Sequence, residues 1–403
     1  MKLFATLGPG DIVGARRRGE TGQRLESETS IPFSEQLVHL CRSRGIELMG
    51  VSHHTRPDQQ EDGRIRMLQG PRPLDGGGGW KYHLGSIAYA VQLAWRARRF
   101  GADLALVDSG TTHYFALFAF RALGIPVAIN FHNVLWVEGF QPQRGVWPHI
   151  RRLDAWFFRR HVVAAAGCSP ECERQVRQIG RPDLPFFEWR GQFEREGFPR
   201  AAADWSQRPF RVVFSGRVEV SKGALDIPVF AAELERSHPG LFRWDVCGDG
   251  TAMDLLRGVV AGQDLGRVIT LHGRLNRPRL LRIYAESHAF IVPTRGDFGE
   301  GMPLSCAEAV ICQRPLVTSR VSNALPVLGP AIAEAVPEDR GSFVRALEQL
   351  ALSREAYEAK RDACVALAGQ FFDPAKGYEA AIDRLIDSWL SAQSGVPQSA
   401  KVL

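Results

Sequence analysis

Short apolar runs alternate with longer amphipathic stretches along this chain. In the first half the apolar runs are residues 2–8, 46–52, 104–110, 127–132 and 162–169. Between them, apolar residues recur at helical spacing over 33–45, 83–101 and 113–124. This alternation predicts buried parallel strands that are covered by helices on both faces of a sheet.

The alternation restarts in the second half of the chain. Residues 190–209 have no clear periodicity and contain two prolines and several charges, so we interpret them as an interdomain linker. The sequence therefore predicts an α/β fold of two doubly wound, Rossmann-like domains, 1–195 and 205–373. Segment 374–403 begins with an amphipathic helix, which we expect to pack back on the first domain. The apolar runs of the second half are residues 210–216, 242–250, 267–273, 288–294 and 314–319.

Two stretches near the N-terminus read as loops. Residues 8–30 are rich in Gly, Arg and Glu, and residues 53–82 contain a run of four glycines. Both follow predicted strands, and ligands of doubly wound sheets bind beyond the carboxyl ends of the strands. We expect these two loops to border a ligand.

Composition indicates a soluble globular protein. The length of 403 residues favours two domains. The chain is 45% hydrophobic and 23% charged, as is typical of a globular protein, and no apolar run is long enough to span a bilayer. The first residues lack the order of a signal peptide, so we expect a cytoplasmic protein. Seven cysteines without C-x-x-C spacing indicate reduced, mostly buried thiols.

The net charge of +6 suits phosphate-bearing small molecules, anionic membranes or nucleic acid. A nucleic-acid partner is not expected, because no basic strand face carries interleaved aromatic residues. Segment 149–163 mixes four arginines with Trp156, Phe157 and Phe158. It is either a helix that contacts the inner face of a membrane or an ordinary helix with its aromatic residues in the core.

Residues 214–223, FSGRVEVSKG, carry the first candidate chemistry. A strand runs into Gly216, and Arg217 and Lys222 follow. Glycine lets the backbone approach a ligand closely, and two cations five positions apart can converge on one diphosphate. The alternative is a strand–turn–helix junction with two surface cations.

Residues 297–308, DFGEGMPLSCAE, form a second strand-to-helix junction. We expect the helix to start at Met302 and Pro303, which leaves the preceding peptide N–H groups free to bind an anion. Glu300 either compensates the helix dipole or contacts the ligand. Glu308 lies inside an apolar helix, and a buried carboxylate needs partners such as the cis-diol of a ribose.

GRVEVSKG (216–223) and EGMPLSCAEA (300–309) resemble the retaining GT-B glycosyltransferases of family 4. The resemblance is close over the second half and loose over the first. It implies two domains facing across a cleft and a UDP- or GDP-sugar as the co-substrate. It further implies metal-independent transfer of a hexosyl group, with retention of configuration, to a glycan, lipid-linked or small-molecule acceptor. The product would belong to cell-surface glycan, glycolipid or natural-product glycoside synthesis, as in polysaccharide biosynthesis.

The resemblance also implies roles for individual residues. Arg217 and Lys222 would hold the donor diphosphate, Glu308 the ribose, and Glu300 the donor sugar. His132, in INFHN, would lie near that sugar; the alternative interpretation is an ordinary loop histidine. The implied catalytic residues are Glu300, Lys222, Arg217 and His132, the acceptor-side residues are Gly8 and Gly10, and no metal site is expected. The implied donor-binding residues are Gly216, Arg217, Lys222, Gly273, Arg274, Leu275, Gly299, Glu300, Gly301, Met302, Pro303, Leu304 and Glu308.

The sequence departs from the family pattern at two places. Pro303 stands where glycine is frequent, and the first loop has the Arg-rich segment 14–25 instead of a double glycine followed by a helix. The second departure affects the acceptor side. Two other functions stay open: a non-catalytic relative that binds nucleotide sugar or glycan, and a nucleotide-sugar epimerase of GT-B shape.

Overall fold

The computed structural model describes residues 1–20, 28–74, 79–140, 145–199, 201 and 203–394. The strands are β1 Lys2–Pro9, β2 Glu47–His53, β3 Asp58–Asp62, β4 Ile65–Gly70, β5 Leu104–Asp108, β6 Val127–Phe131, β7 Val162–Gly167, β8 Phe186–Glu188, β9 Phe210–Ser215, β10 Phe242–Cys247, β11 Ile269–Gly273, β12 Ala289–Val292, β13 Leu316–Ser319 and β14 Ile332–Ala335. The helices are α1 Ile12–Glu20, α2 Phe33–Ser43, α3 Trp80–Phe100, α4 Phe118–Ala122, α5 Trp147–Arg160, α6 Pro170–Ile179, α7 Ile227–Ser237, α8 Met253–Gly262, α9 Arg277–Glu286, α10 Leu304–Ile311, α11 Leu325–Leu328, α12 Arg340–Leu352, α13 Arg354–Leu367 and α14 Tyr378–Ser394.

The strands form two sheets. The first has the order β3-β4-β2-β1-β5-β6-β7-β8 and the second the order β11-β10-β9-β12-β13-β14. Every pairing is parallel except that of β3 with β4. The direction of winding reverses beside β1 in one sheet and beside β9 in the other, which confirms two doubly wound domains. Ligands of such sheets bind where the winding reverses.

Residues 53–82 contain two strands where the sequence predicted a loop. In β4, Ile65, Met67 and Gln69 are buried and alternate with half-buried residues, so the strand has the expected period of two. Its partner β3 is the polar sequence DQQED at the edge of the sheet, where no apolar pattern is required. The four-glycine run lies largely outside the described residues.

Residues 8–30 also contain an element that the sequence did not predict, because α1 follows β1 directly. Ile12 and Val13 are buried, whereas two arginines of the helix pair with carboxylates of β3. Arg16 Nη2 lies 2.9 Å from Asp62 Oδ2, and Arg17 Nη1 lies 2.6 Å from Asp58 Oδ2. The apolar face of α1 is short, and the arginines on its other side form ion pairs, so apolar periodicity did not reveal this helix. Residues 21–25 of the Arg-rich segment lie outside the described residues.

Helix α14 comes last along the chain but contacts α2, β7 and β8 of the first sheet. Its apolar face, from Tyr378 to Trp389, is buried in the core of the first half. We propose 1–195, 205–373 and 374–403 as the units of the chain, with residues 395–403 outside the described part. All seven cysteines are buried and free, as the sequence predicted.

Candidate active site

A cavity of about 380 Å³ lies between the two halves of the chain. It brings together His132 and many of the residues that the sequence analysis placed around a donor. From the first half it is lined by Phe33, His132, Cys168, Trp189 and Gly191. From the second half it is lined by Phe214, Ser215, Gly216, Arg217, Lys222, Val292, Thr294, Glu300, Met302, Pro303, Leu304, Ser305 and Glu308.

The other predicted site residues do not line this cavity. Gly273, Arg274 and Leu275 lie at and beyond the end of β11, where the Gly273 carbonyl accepts a hydrogen bond of 2.9 Å from the Gly248 amide. Gly8 and Gly10 lie at the end of β1, and the Gly10 amide donates to the His53 carbonyl at 3.0 Å. Gly299 and Gly301 face the first half of the chain instead of the cavity.

Gly223 explains how Lys222 reaches the cavity. Residues Val220–Lys222 form one 3₁₀ turn, and Gly223 follows with φ of 72°, a conformation that favours glycine. A Cβ at Gly223 would lie 2.1 Å from the Pro293 carbonyl oxygen, so only glycine allows the turn to lie against the end of β12. The turn thereby places Lys222 beside Glu300. Gly223 is also the N-cap of a second 3₁₀ turn, Ala224–Asp226, which leads into α7 at Ile227.

Lys222 and Glu300 form an ion pair at the wall of the cavity. Lys222 Nζ contacts Glu300 Oε1, and their side chains are only 17% and 7% exposed. Thr294 Oγ1 donates to the same carboxylate at 3.3 Å, and Asn323 Nδ2 donates to the Glu300 carbonyl at 2.6 Å. Both ends of Glu300 are therefore held in place.

Arg217 is in a different environment from Lys222. Its side chain is 59% exposed, and Nη1 lies 2.7 Å from Glu219 Oε1. An exposed guanidinium in a surface ion pair can leave its partner for a phosphate at low cost. Lys222 is therefore held in position by Glu300 before any ligand binds, whereas Arg217 remains in contact with solvent.

Helix α10 begins at Leu304, two residues later than the sequence predicted, with Pro303 at its N-cap position. Proline has no side chain that can cap the helix, so the Leu304 and Ser305 amides are left for another acceptor, whereas the Cys306 amide donates to the Pro303 carbonyl at 3.0 Å. Leu304 and Ser305 both line the cavity. The Glu300 amide, by contrast, already donates to the Phe298 carbonyl at 3.1 Å, which makes the predicted anion site smaller.

Glu308 is buried, with 6% exposure, and each of its carboxylate oxygens has a partner. Tyr284 donates to Oε2 at 2.8 Å, and Thr29 of the first half donates to Oε1. Burial raises the pKa of Glu308 above its ordinary value of 4.5, while these two hydrogen bonds act to lower it. Ser215 Oγ, which lines the cavity, lies 2.6 Å from the Tyr284 hydroxyl. Sequence reasoning missed both partners, and nothing in the local pattern around Thr29 points to Glu308.

His132, just beyond the end of β6, is held by a chain of buried polar groups. Asn130 Nδ2 donates both to Asp108 Oδ1, at 2.7 Å, and to His132 Nε2, at 2.9 Å. The side-chain oxygen of Asn130, Oδ1, accepts from Trp189 Nε1 at 2.9 Å. His132 Nε2 also lies 3.4 Å from Asp108 Oδ1, so both side chains orient the imidazole ring. Asp108 and Asn130 were missed, although a polar residue inside an apolar strand is a usable signal.

Known proteins resemble this chain in part. Residues 209–353 match the family described as Glycosyl transferases group 1. The glycogen synthase of Mycobacterium tuberculosis, in strains CDC 1551 / Oshkosh and ATCC 25618 / H37Rv, is 25% identical over 199 residues. That alignment covers 49% of this chain and 44% of the glycogen synthase. The chain thus spans less than half the length of the curated relatives it matches.

Two solved structures match almost the whole chain. An α,α-trehalose 6-phosphate synthase from Burkholderia multivorans has a TM-score of 0.72 at 15% identity, over 98% of this chain and 99% of that one. A structure described as trehalose-6-phosphate from E. coli bound with UDP-2-fluoro glucose has a TM-score of 0.71 at 12% identity, over 96% and 99%. The chain therefore has the predicted GT-B fold, with a match to glycosyl transferases group 1 over most of its second domain.

Proposed function

We propose that this protein is a retaining glycosyltransferase that moves a hexosyl group from a nucleotide sugar to an acceptor. The observation that carries the proposal is the single cavity that joins Arg217, Lys222, Glu300 and Glu308 of one domain to His132 of the other. The similarity to a structure bound with UDP-2-fluoro glucose supports a UDP-sugar as the donor.

The diphosphate, the ribose and the donor sugar each have a counterpart in the cavity. The diphosphate would lie against Lys222, Arg217 and the first amides of α10, where a helix N-terminus and two cations attract negative charge. The ribose would bind Glu308, with one of its hydroxyls replacing Thr29 at Oε1. The donor sugar would then lie between Glu300 and His132. The more distant Gly273, Arg274 and Leu275 are proposed to flank the base.

In the reaction, the bond between the anomeric carbon and the diphosphate breaks, and a bond to the acceptor oxygen forms on the same face of the sugar. The departing phosphate oxygen takes the proton of the acceptor hydroxyl. Lys222 and Arg217 would stabilise the charge that develops on the diphosphate, which is the task of a divalent ion in other enzymes. We therefore propose that transfer is metal-independent.

The acceptor would enter past the end of β1, beside Gly8 and Gly10. Candidate acceptors are a glycan, a lipid-linked glycan or a small molecule, in the synthesis of cell-surface glycans, glycolipids or natural-product glycosides. We propose a cytoplasmic location. Of the helices that the structure describes, none is long and apolar enough to cross a bilayer.

A thermal-shift screen with UDP, GDP, ADP and their sugars identifies the donor, because a ligand that binds the native state raises the melting temperature. Transfer is then measured with the stabilising donor, and the anomeric configuration of the product is read by NMR. Lys222→Ala is expected to lower the rate by a factor on the order of 10² to 10³. Arg267→Ala, which removes an 83% exposed cation far from the cavity, is the matched control.

Because Lys222→Ala leaves the buried Glu300 without its cation, the folding of this variant is checked by circular dichroism. Wild-type transfer by Lys222→Ala would contradict the assignment of the donor site, as would activity that depends on added Mn²⁺ or Mg²⁺. Donor binding without any turnover would indicate a non-catalytic relative. Interconversion of nucleotide sugars without an acceptor would indicate an epimerase.

A further inference from the structure

Helix α3 is apolar on both of its faces. Its inner face, including Tyr89, Leu93 and Ala97, is buried in the core of the first domain. Its outer face presents apolar side chains at helical spacing to solvent, whereas the outer face of an ordinary surface helix is polar. We call this set the α3 stripe: Trp80, Leu84, Ile87, Val91 and Trp95, with exposures of 67%, 50%, 36%, 42% and 55%.

The exposed apolar surface extends to the neighbouring helices. Helix α4 packs beside α3 and carries Phe118, which is 43% exposed. The Phe118 ring lies 5.5 Å from that of Trp156 on α5, which is 36% exposed. At the other end of α5, the Trp147 ring lies 5.8 Å from that of His83 on α3. A contiguous apolar surface of this kind on a soluble domain marks a site of interaction.

The charged side chains around this surface are positive at all but one position. Across the described residues of α3, α4 and α5, Asp154 is the one acidic side chain, and it accepts a hydrogen bond of 2.8 Å from the Phe115 amide. A surface that covers this face must therefore be both negatively charged and apolar. The basic side chains of the three helices are Lys81, Arg96, Arg98, Arg99, Arg121, Arg151, Arg152, Arg159 and Arg160.

A second copy of the chain does not meet this requirement. In a symmetric dimer built on this face, the same basic helices would oppose each other, and like charges would repel. An anionic bilayer meets the requirement, because its headgroups attract Lys and Arg while its interface accepts Trp and Leu.

We propose that α3, together with α4 and α5, binds the surface of an anionic membrane. The α3 stripe would enter the interface along a helix of about 30 Å that lies parallel to the membrane. The sequence had pointed to segment 149–163 as the open candidate for such contact. The structure instead buries Phe157 and Phe158 of that segment and exposes the stripe on α3. This proposal does not depend on the proposed transferase activity.

The position of α3 matters if both proposals hold. His83, in its first turn, lies 2.9 Å from His113, measured from Nδ1 to Nε2, and His113 follows the carboxyl end of β5. The Trp80 end of the stripe is thus at the edge of the sheet where ligands bind. A lipid-linked acceptor in the bilayer would approach the cleft from this side.

The test is co-flotation of the full chain with phosphatidylcholine vesicles, with and without phosphatidylglycerol. We expect binding to the phosphatidylglycerol vesicles that weakens as salt is raised. The double variant Leu84→Asp/Val91→Asp should lower the partition coefficient about tenfold or more. The matched control is Leu255→Asp/Val365→Asp, which changes side chains of the second domain that are 57% and 55% exposed and should bind as wild type does.

Thermal unfolding shows whether the variants are folded, and light scattering after gel filtration gives their oligomeric state. Wild-type chain that fails to float with phosphatidylglycerol vesicles overturns the proposal. So does a folded Leu84→Asp/Val91→Asp variant that still binds them as wild type does. A wild-type dimer that this variant dissociates, without vesicle binding by either, would instead assign the face to a second copy of the chain.

Discussion

Glu308 illustrates how the surroundings of one residue set its chemistry. The carboxylate is buried and accepts hydrogen bonds from Tyr284 and Thr29. Burial raises its pKa above 4.5, so the folded chain binds this proton more readily than the unfolded chain does. The ionised form therefore opposes folding at neutral pH, and the opposition is relieved as the pH falls toward 4.5. Burial favours the protonated form of Glu308, so hydrogen-bond donors from a ligand would stabilise its ionised form.

We expect the affinity for UDP to fall as the pH is lowered through the raised pKa of Glu308. A protonated carboxyl loses part of its capacity to accept hydrogen bonds from the ribose. Calorimetric titration with UDP at a series of decreasing pH values, starting from neutral pH, measures this effect. Glu308→Gln should bind UDP more weakly and without this pH dependence, and it should keep its stability at neutral pH.

Two tyrosine variants provide a further test of this prediction and its control. Tyr284→Phe removes the donor to Glu308 Oε2 and should weaken UDP binding by about tenfold. Tyr357→Phe removes another buried hydroxyl of the same domain, one that donates to the His288 carbonyl at 3.1 Å, and should leave UDP binding unchanged. A wild-type affinity that does not vary with pH would show that Glu308 does not hold the ribose.

Among the structural elements, the loop between β12 and α10 sets the contact between the domains. A Cβ at Gly301 would lie 2.1 Å from the His132 carbonyl oxygen and 2.2 Å from Cys168 Sγ. A Cβ at Gly299 would lie 3.3 Å from the Val134 carbonyl oxygen, which is a milder contact. The start of α10 therefore lies against the first domain at the place where His132 and Glu300 approach the same cavity.

Gly301→Ala should separate the loop from the strand end that carries His132. We expect sugar transfer to fall by about tenfold or more, since small displacements of reacting groups are costly. UDP binding should change less, because the proposed ribose and phosphate contacts lie mainly in the second domain. Steady-state kinetics and calorimetric titration measure the two effects.

Gly299→Ala should have a smaller effect on transfer, and Gly329→Ala, where a Cβ meets nothing within 4 Å, should have none. Equal losses of transfer and of UDP binding in Gly301→Ala would argue against a sugar site shared between the domains.

In the molecule as a whole, α14 ties the end of the chain to the first domain. Leu385, on this helix, is fully buried in the first core. Leu385→Ala should lower the free energy of unfolding by about 2–5 kcal/mol, the usual cost of such a cavity. Limited proteolysis in increasing urea should then cut this variant first within the first domain. Leu347→Ala, in the core of the second domain, is the control and should shift the first cuts there. Early cleavage of Leu385→Ala in the second domain would show that α14 does not stabilise the first.

The sequence by itself determined the central strands, the two doubly wound domains and the junctions that carry Arg217, Lys222, Glu300 and Glu308. Hydrophobic periodicity is local and reports which side of an element is buried, so it reads central strands well. It missed α1 and the edge strands β3, β8 and β14, because a short or edge element needs little apolar pattern. It also missed β4, although that strand alternates buried and half-buried residues.

Only the tertiary structure decided which residues meet. Thr29 reaches Glu308 from the other domain, and Asn130 links Asp108 to His132 within the first sheet. The pattern of α3 showed that the helix is apolar, but not that its stripe from Trp80 to Trp95 stays uncovered. Such contacts join residues that are far apart in the sequence or depend on what packs against a surface. They follow from the packing of whole elements, which no local pattern encodes.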